Sequence, residues 1–85
     1  MNKLDLNCLP IFIAVVESGN FTAASERLHV TRSAVSKSIS RLENSLGVAL
    51  FQRTTRQQAL TDDGMVLYEY ASHALNSLQE ASNFL

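Results

Sequence analysis

Thr31–Gly47, TRSAVSKSISRLENSLG, is the stretch from which the rest of the chain can be read. Val35, Ile39, Leu42 and Leu46 recur at steps of four, three and four, which at 3.6 residues per turn places them on one stripe of a helix. The opposite face carries Ser33, Ser36, Lys37, Ser40 and Arg41, with Arg32 at its start and no acid before Glu43. A solvated helix face normally mixes Glu with Lys to gain i,i+4 pairs, so a face of Ser, Lys and Arg alone is suited to meeting phosphates.

The charge distribution repeats this asymmetry. The 85 residues sum to a net charge of −1, which by itself speaks against a polyanionic partner. Yet residues 31–56 hold five basic side chains (Arg32, Lys37, Arg41, Arg53, Arg56) against one acid (Glu43), or +4. The remainder holds two basic against seven acidic residues, or −5. One face for a bound polyanion fits that division. The length allows a single domain, in the size range where added burial in an oligomer helps. Hydrophobic residues make up 46% of it, enough for a core. The single cysteine, Cys8, excludes an intramolecular disulfide and reads as a small core residue. Apolar runs such as Ile11–Val16 are too short to span a membrane and no signal segment opens the chain, so a cytoplasmic protein is expected.

Upstream, Leu6, Leu9, Ile13 and Val16, widened by Phe12, predict a first helix ending at about Ser18, before Gly19. Pro10 belongs in its first turn, with Asn7 or Asp5 as the cap. Phe21–Leu28 predicts a short second helix, capped by Asn20 or Thr22. Its small residues Ala23, Ala24 and Ser25 permit the close, steep crossing of a helix-turn-helix. His29–Thr31 is the turn, with Val30 expected to tuck between the helices and Thr31 to cap the next one.

Downstream, Gly47 ends the helix, Leu50–Arg53 and Gln58–Leu60 predict a two-stranded ribbon, and Thr54–Gln57 its polar turn. The fold class is therefore mainly α: a winged helix-turn-helix over residues 1–60, then a long helix over 61–85 opened by Thr61, Asp62 and Asp63. Along that helix Leu67, Ala71, Ala74, Leu78, Ala81 and Leu85 form a 3.5-residue seam, the pattern of two packed helices. Met65 and Val66 are expected to pack back on the first helix. At 1.5 Å per residue the helix would be about 36 Å long, more than so small a domain can cover, so the seam predicts a homodimer interface.

Six stretches in order then resemble the DNA-binding domain of LysR-type transcriptional regulators of bacteria. They are VVESGNFT (Val15–Thr22), AASERLHV (Ala23–Val30), TRSAVS (Thr31–Ser36), RLE (Arg41–Glu43), LGVALFQR (Leu46–Arg53) and LTDDG (Leu60–Gly64). The resemblance implies sequence-specific binding of double-stranded DNA as a homodimer, with the last helix as the dimer linker. It also implies a parent protein whose C-terminal domain binds a small-molecule effector, a domain this sequence lacks. Family members usually carry Gln where this chain has Arg32. Arg pairs with guanine N7 and O6 or with phosphate, whereas Gln pairs with adenine.

A helix of this kind enters the major groove by its N-terminal residues, so Arg32, Ser33, Ser36 and Lys37 are the candidates for base contacts. Thr31 and Ser40 suit the DNA backbone. Arg41 suits either phosphate or a salt bridge with Glu43 or another acid. Arg53 and Arg56 are the wing candidates for backbone or minor groove, with a solvated turn charge as the alternative for Arg56. Two-fold symmetry predicts an interrupted palindrome as target. A winged helix that binds protein instead is the competing reading, favoured by the net negative charge. An enzyme is not expected: one Cys and two His, His29 and His73, supply neither a metal set nor a nucleophile and base, and no cofactor loop occurs.

Overall fold

The computed structural model describes residues 4–53 and 58–85. A 3-10 turn, Leu6–Cys8, leads into α1 (Leu9–Ser18), followed by α2 (Phe21–Leu28), α3 (Arg32–Leu46), strands β1 (Phe51–Arg53) and β2 (Gln58–Leu60), and α4 (Asp62–Phe84). The strands pair antiparallel, Phe51 opposite Leu60, Gln52 opposite Ala59 and Arg53 opposite Gln58. This is the winged helix-turn-helix expected, with the long final helix in place. The turn expected over residues 54–57 lies outside the described residues.

The start of the chain settles the question of the cap. Asp5 caps the 3-10 turn by accepting from the Asn7 N–H at 3.0 Å, and α1 begins separately at Leu9 with Pro10 in its first turn. A 3-10 turn advances three residues rather than 3.6, so the helical phase is reset before α1 begins. Leu6 is consequently exposed, and the face of α1 that enters the core is Leu9, Phe12 and Val15. Cys8 is buried beside it, and its Sγ–H donates to Asp5 Oδ2 at 3.6 Å. Burial foremost, with the Asp5 charge, pushes the Cys8 thiol pKa up and keeps it in its unreactive form.

Asn20 caps α2, accepting from the Ala23 N–H at 2.7 Å. The helix ends in a Schellman turn: His29 is left-handed (φ 59°), its N–H meets Glu26 O, and the Val30 N–H meets Ser25 O at 3.1 Å. That turn aims Val30 outward, where it is exposed instead of wedged between α2 and α3. Ala24 and Ser25 are buried where α2 is crossed, and the Ser25 hydroxyl is spent on Thr22 O at 2.7 Å.

The core is drawn from every element. Phe12, Val15, Val35, Ile39, Leu42 and Leu50 are fully buried, and Phe51 joins Phe12 (ring centroids 5.6 Å apart) and Phe21 (6.1 Å, edge-on at 86°). From α4 the core takes Gly64 and Ala71, with Leu67 and Tyr68 half-buried against it. Leu67 and Ala71, expected at a dimer seam, are thus seated on the protomer's own core. Met65 and Val66, expected to pack inward, are exposed, because at 100° per residue they fall on the far side of α4 from Gly64, Leu67 and Ala71.

Gly64 is where α4 meets the wing. A Cβ there would collide with the Leu50 carbonyl oxygen and come within 2.7 Å of Leu60 Cδ1. Because one of those atoms is backbone, Gly64→Ala is expected to lower the unfolding free energy by about 1–3 kcal/mol, the usual cost of overpacking. Urea denaturation followed by circular dichroism measures it, and an unchanged midpoint would show that the wing is not packed this closely.

Candidate nucleic-acid interface

The outer face of α3 follows from its inner one. With Val35, Ile39 and Leu42 wholly buried, helical geometry turns Ser33, Lys37, Ser40, Arg41 and Asn44 away from the core. Arg32, Ser33, Lys37 and Arg41 are exposed, and Ser36 and Ser40 half-exposed. Ser36, Lys37, Ser40, Arg41, Asn44 and Ser45 line one shallow, open depression along the helix. Four of the expected contact residues therefore share a continuous surface.

Thr31 begins the helix. Its Oγ1 accepts from the Ala34 N–H at 3.0 Å, which leaves its O–H to donate outward. The first turn of α3 holds no acid. The free N–H groups there and the positive end of the helix dipole thus face solvent together with Arg32, an arrangement that favours an incoming anion. Arg32 itself lies toward one flank, its guanidinium carbon over the Phe21 ring, 5.9 Å from the centroid. Arg41 forms no salt bridge among the described residues, where the ion pair found is Arg27–Glu17 at 3.1 Å.

Glu43 is turned to the wing and not to Arg41. Its Oε2 accepts from the backbone N–H of Leu50 at 2.8 Å and of Phe51 at 3.3 Å, which ties α3 to the first residues of the wing. From the other side, the Thr61 N–H donates to Leu50 O at 2.9 Å, and the Thr61 hydroxyl donates to Ala49 O at 2.7 Å while accepting from the Gly64 N–H at 2.9 Å. Recognition helix, wing and final helix are joined through three consecutive residues, Ala49, Leu50 and Phe51. Arg53 lies in β1 of that wing, and Arg56 falls outside the described residues.

On α4 the free apolar surface is displaced from the seam read in the sequence. Val66 is 53% exposed and Tyr70 74%, and Ala74, Leu78, Ala81, Phe84 and Leu85 are also exposed. Val66, Tyr70, Ala74, Leu78 and Ala81 advance by four, four, four and three, a stripe beside the one that enters the core. Apolar residues three or four apart form both stripes, and the packing of Leu67 and Ala71 on the core separates them. Among the described residues, no helix is long and apolar enough to cross a membrane. Nor do three His, Cys, Asp or Glu side chains gather there as a metal site requires.

This arrangement matches a known family. Residues 6–65 fit the family of bacterial regulatory helix-turn-helix proteins called lysR. The chain belongs to the LysR family. It is 44% identical over 81 residues to the HTH-type transcriptional regulator PtxR of Pseudomonas aeruginosa, which covers 95% of this chain and 26% of that protein. It is 41% identical over 81 residues to the probable HTH-type transcriptional regulator LtrA of Klebsiella pneumoniae, covering 92% and 26%. The chain thus spans about a quarter of the length of these curated relatives. Among solved structures it is similar to the CbnR DNA-binding domain crystallised with DNA (TM-score 0.87, 35% identity, 94% of this chain and 92% of that one). It is likewise similar to the BenM domain bound to benA site 1 DNA (TM-score 0.89, 32% identity, 95% and 94%).

The Glu43 clamp can be tested by removing its acceptor. Glu43→Ala leaves the Leu50 and Phe51 N–H groups without that carboxylate, at an expected cost of about 1–3 kcal/mol. Amide hydrogen exchange at those two positions should accelerate more than at Ile39 in the middle of α3. Equal acceleration everywhere would mean general destabilisation and no local clamp.

Proposed function

We propose that this chain is the DNA-binding part of a LysR-type transcriptional regulator and binds double-stranded DNA as a homodimer. The observation that carries the proposal is the acid-free outer face of α3, with Lys37 and Arg41 in one open depression and Arg32 beside it. The similar CbnR and BenM domains are solved with DNA, which supports the same partner here. Binding, and not catalysis, is the role, in keeping with relatives named as transcriptional regulators. The working compartment of such a regulator is the cytoplasm.

Residues 1–60 form the winged helix-turn-helix and residues 61–85 the linker and dimerisation helix, with Leu67 and Ala71 also anchoring that helix to the core. In the complex α3 lies in the major groove. Arg32, Ser33, Ser36 and Lys37 reach base edges, while Thr31, Ser40 and Arg41 bind phosphates and fix the register. Arg53 and Arg56 act from the wing on backbone or minor groove. Val66, Tyr70, Ala74, Leu78 and Ala81 of α4, with Leu85 at its end, meet the second copy, and the two-fold axis sets an interrupted palindrome as the target. In the full-length parent, a further domain binds the small-molecule effector.

Fluorescence anisotropy with a labelled mixed-sequence duplex tests the partner. Affinity should fall steeply with salt, with a log-log slope of roughly −0.9 for each phosphate neutralised, and Arg41→Ala should make that slope shallower by about one. A folded protein that binds no duplex at low salt would overturn the reading and favour a protein partner. Sedimentation equilibrium tests the second copy: Tyr70→Glu with Leu78→Glu should yield a folded monomer, and a dimer that survives both changes would place the interface elsewhere.

A further inference from the structure

Arg32 stands where folding gives it no reason to be. A cation in the first turn of a helix meets the positive end of the dipole, and the first turn of α3 holds no acid to offset it. Its favourable contact is with the Phe21 ring, whose centroid lies 5.9 Å from the guanidinium carbon. That ring is not a loose surface aromatic. Phe21 is buried, its ring set edge-on to Phe51 at 86°, and Phe51 is in turn against Phe12. A fixed chain of three rings therefore leads from the centre of the core, through the first residue of the wing, to an exposed guanidinium on the recognition helix.

Resting on the DNA-binding reading above, we propose that Phe21 is a positioning residue that holds Arg32 for one guanine in each half-site, which makes Arg32 a base-selecting side chain and not a phosphate clamp. Helical phase sets the flank from which Arg32 acts. At 100° per residue Arg32 lies about 60° around α3 from Val35, on the same side as Ser36 and Glu43, apart from the face that Ser33, Lys37 and Arg41 present. Glu43 on that side carries the wing, so Arg32 works on the wing-facing flank of the helix. A guanidinium fork matches guanine N7 and O6 by two parallel hydrogen bonds, and a fork restrained before binding loses less rotamer entropy on pairing. The same fork can also pair with two phosphate oxygens, so what separates the two roles is whether a base preference depends on Arg32.

The test begins with the palindrome enriched from random duplexes by the wild-type chain, with each base pair then varied in competition anisotropy. One symmetric pair of positions should require G, with a loss of about ten-fold or more on substitution. Arg32→Lys, which keeps the charge but not the fork, should abolish that requirement while leaving the salt slope unchanged. Phe21→Leu, with its fold checked by circular dichroism, should weaken the same requirement by about two- to five-fold and leave the other positions alone. In the free wild-type chain the Arg32 side-chain protons should show ring-current shifts from Phe21, a reading that needs no variant. If Arg32→Lys preserves every base preference, or lowers only the salt slope, Arg32 is a phosphate contact and the proposal is wrong. If Phe21→Leu leaves the guanine requirement intact, or the ring-current shifts are absent, the positioning role is wrong. Failure of the wild-type chain to bind any duplex would instead sink the DNA-binding reading on which both parts rest.

Discussion

The backbone of Leu50 is gripped from two sides, and the geometry of the DNA-facing surface depends on that grip. Its N–H is held by the Glu43 carboxylate of α3, and its carbonyl by the Thr61 N–H at the start of α4. A two-stranded ribbon of three-residue strands has little stability of its own. Here the residue just before the ribbon, Leu50, has a fully buried side chain and both backbone polar groups spoken for. Gly64 lets α4 approach the same carbonyl more closely than any side chain would allow. The consequence for function is that α3 and the root of the wing move as one piece. Two surfaces that must fit one duplex are thereby held in register before DNA arrives, so that less ordering entropy is lost on binding.

Electrostatics explains how a chain with net charge −1 suits a polyanion. The acids are kept off the contact face and used elsewhere. Asp62 and Asp63 sit at the favourable end of the α4 dipole, Glu17 pairs with Arg27 and accepts from Tyr68 on α4, and Asp5 caps the 3-10 turn. The Arg27–Glu17 pair is largely exposed and contributes at most about 1 kcal/mol, so these acids matter more by location than by strength. Only Glu43 interrupts the basic stretch, and its carboxylate is turned to the wing backbone.

The elements that local chemistry specifies were legible in the sequence. The bounds of α2 and α3 follow from Asn20, Thr31 and Gly47, and the core stripe of α3 from its spacing, because caps and periodicity act within a few residues. What was not legible depended on phase or on long-range contact. The 3-10 turn shifted the register of the first helix and released Leu6, and the left-handed His29 swung Val30 outward. On α4, an apolar residue every three or four positions fits two stripes, so the division between core and free surface awaited the packing of Leu67 and Ala71. In sequence Glu43 was one of the acids open to Arg41, with phosphate as the equal alternative. Its bond to Leu50 spans seven residues and a change of direction that no local pattern encodes.

The most direct test of the account is to follow backbone amide shifts in the 15N-labelled chain as an unlabelled palindromic duplex is added. The largest changes are expected on residues 31–41 and on β1, with Leu50 and Phe51 moving together with α3, while the outer faces of α1 and α2 stay nearly unchanged. Perturbations centred on the exposed stripe of α4, with α3 unaffected, would contradict it and assign that helix, rather than α3, to the ligand.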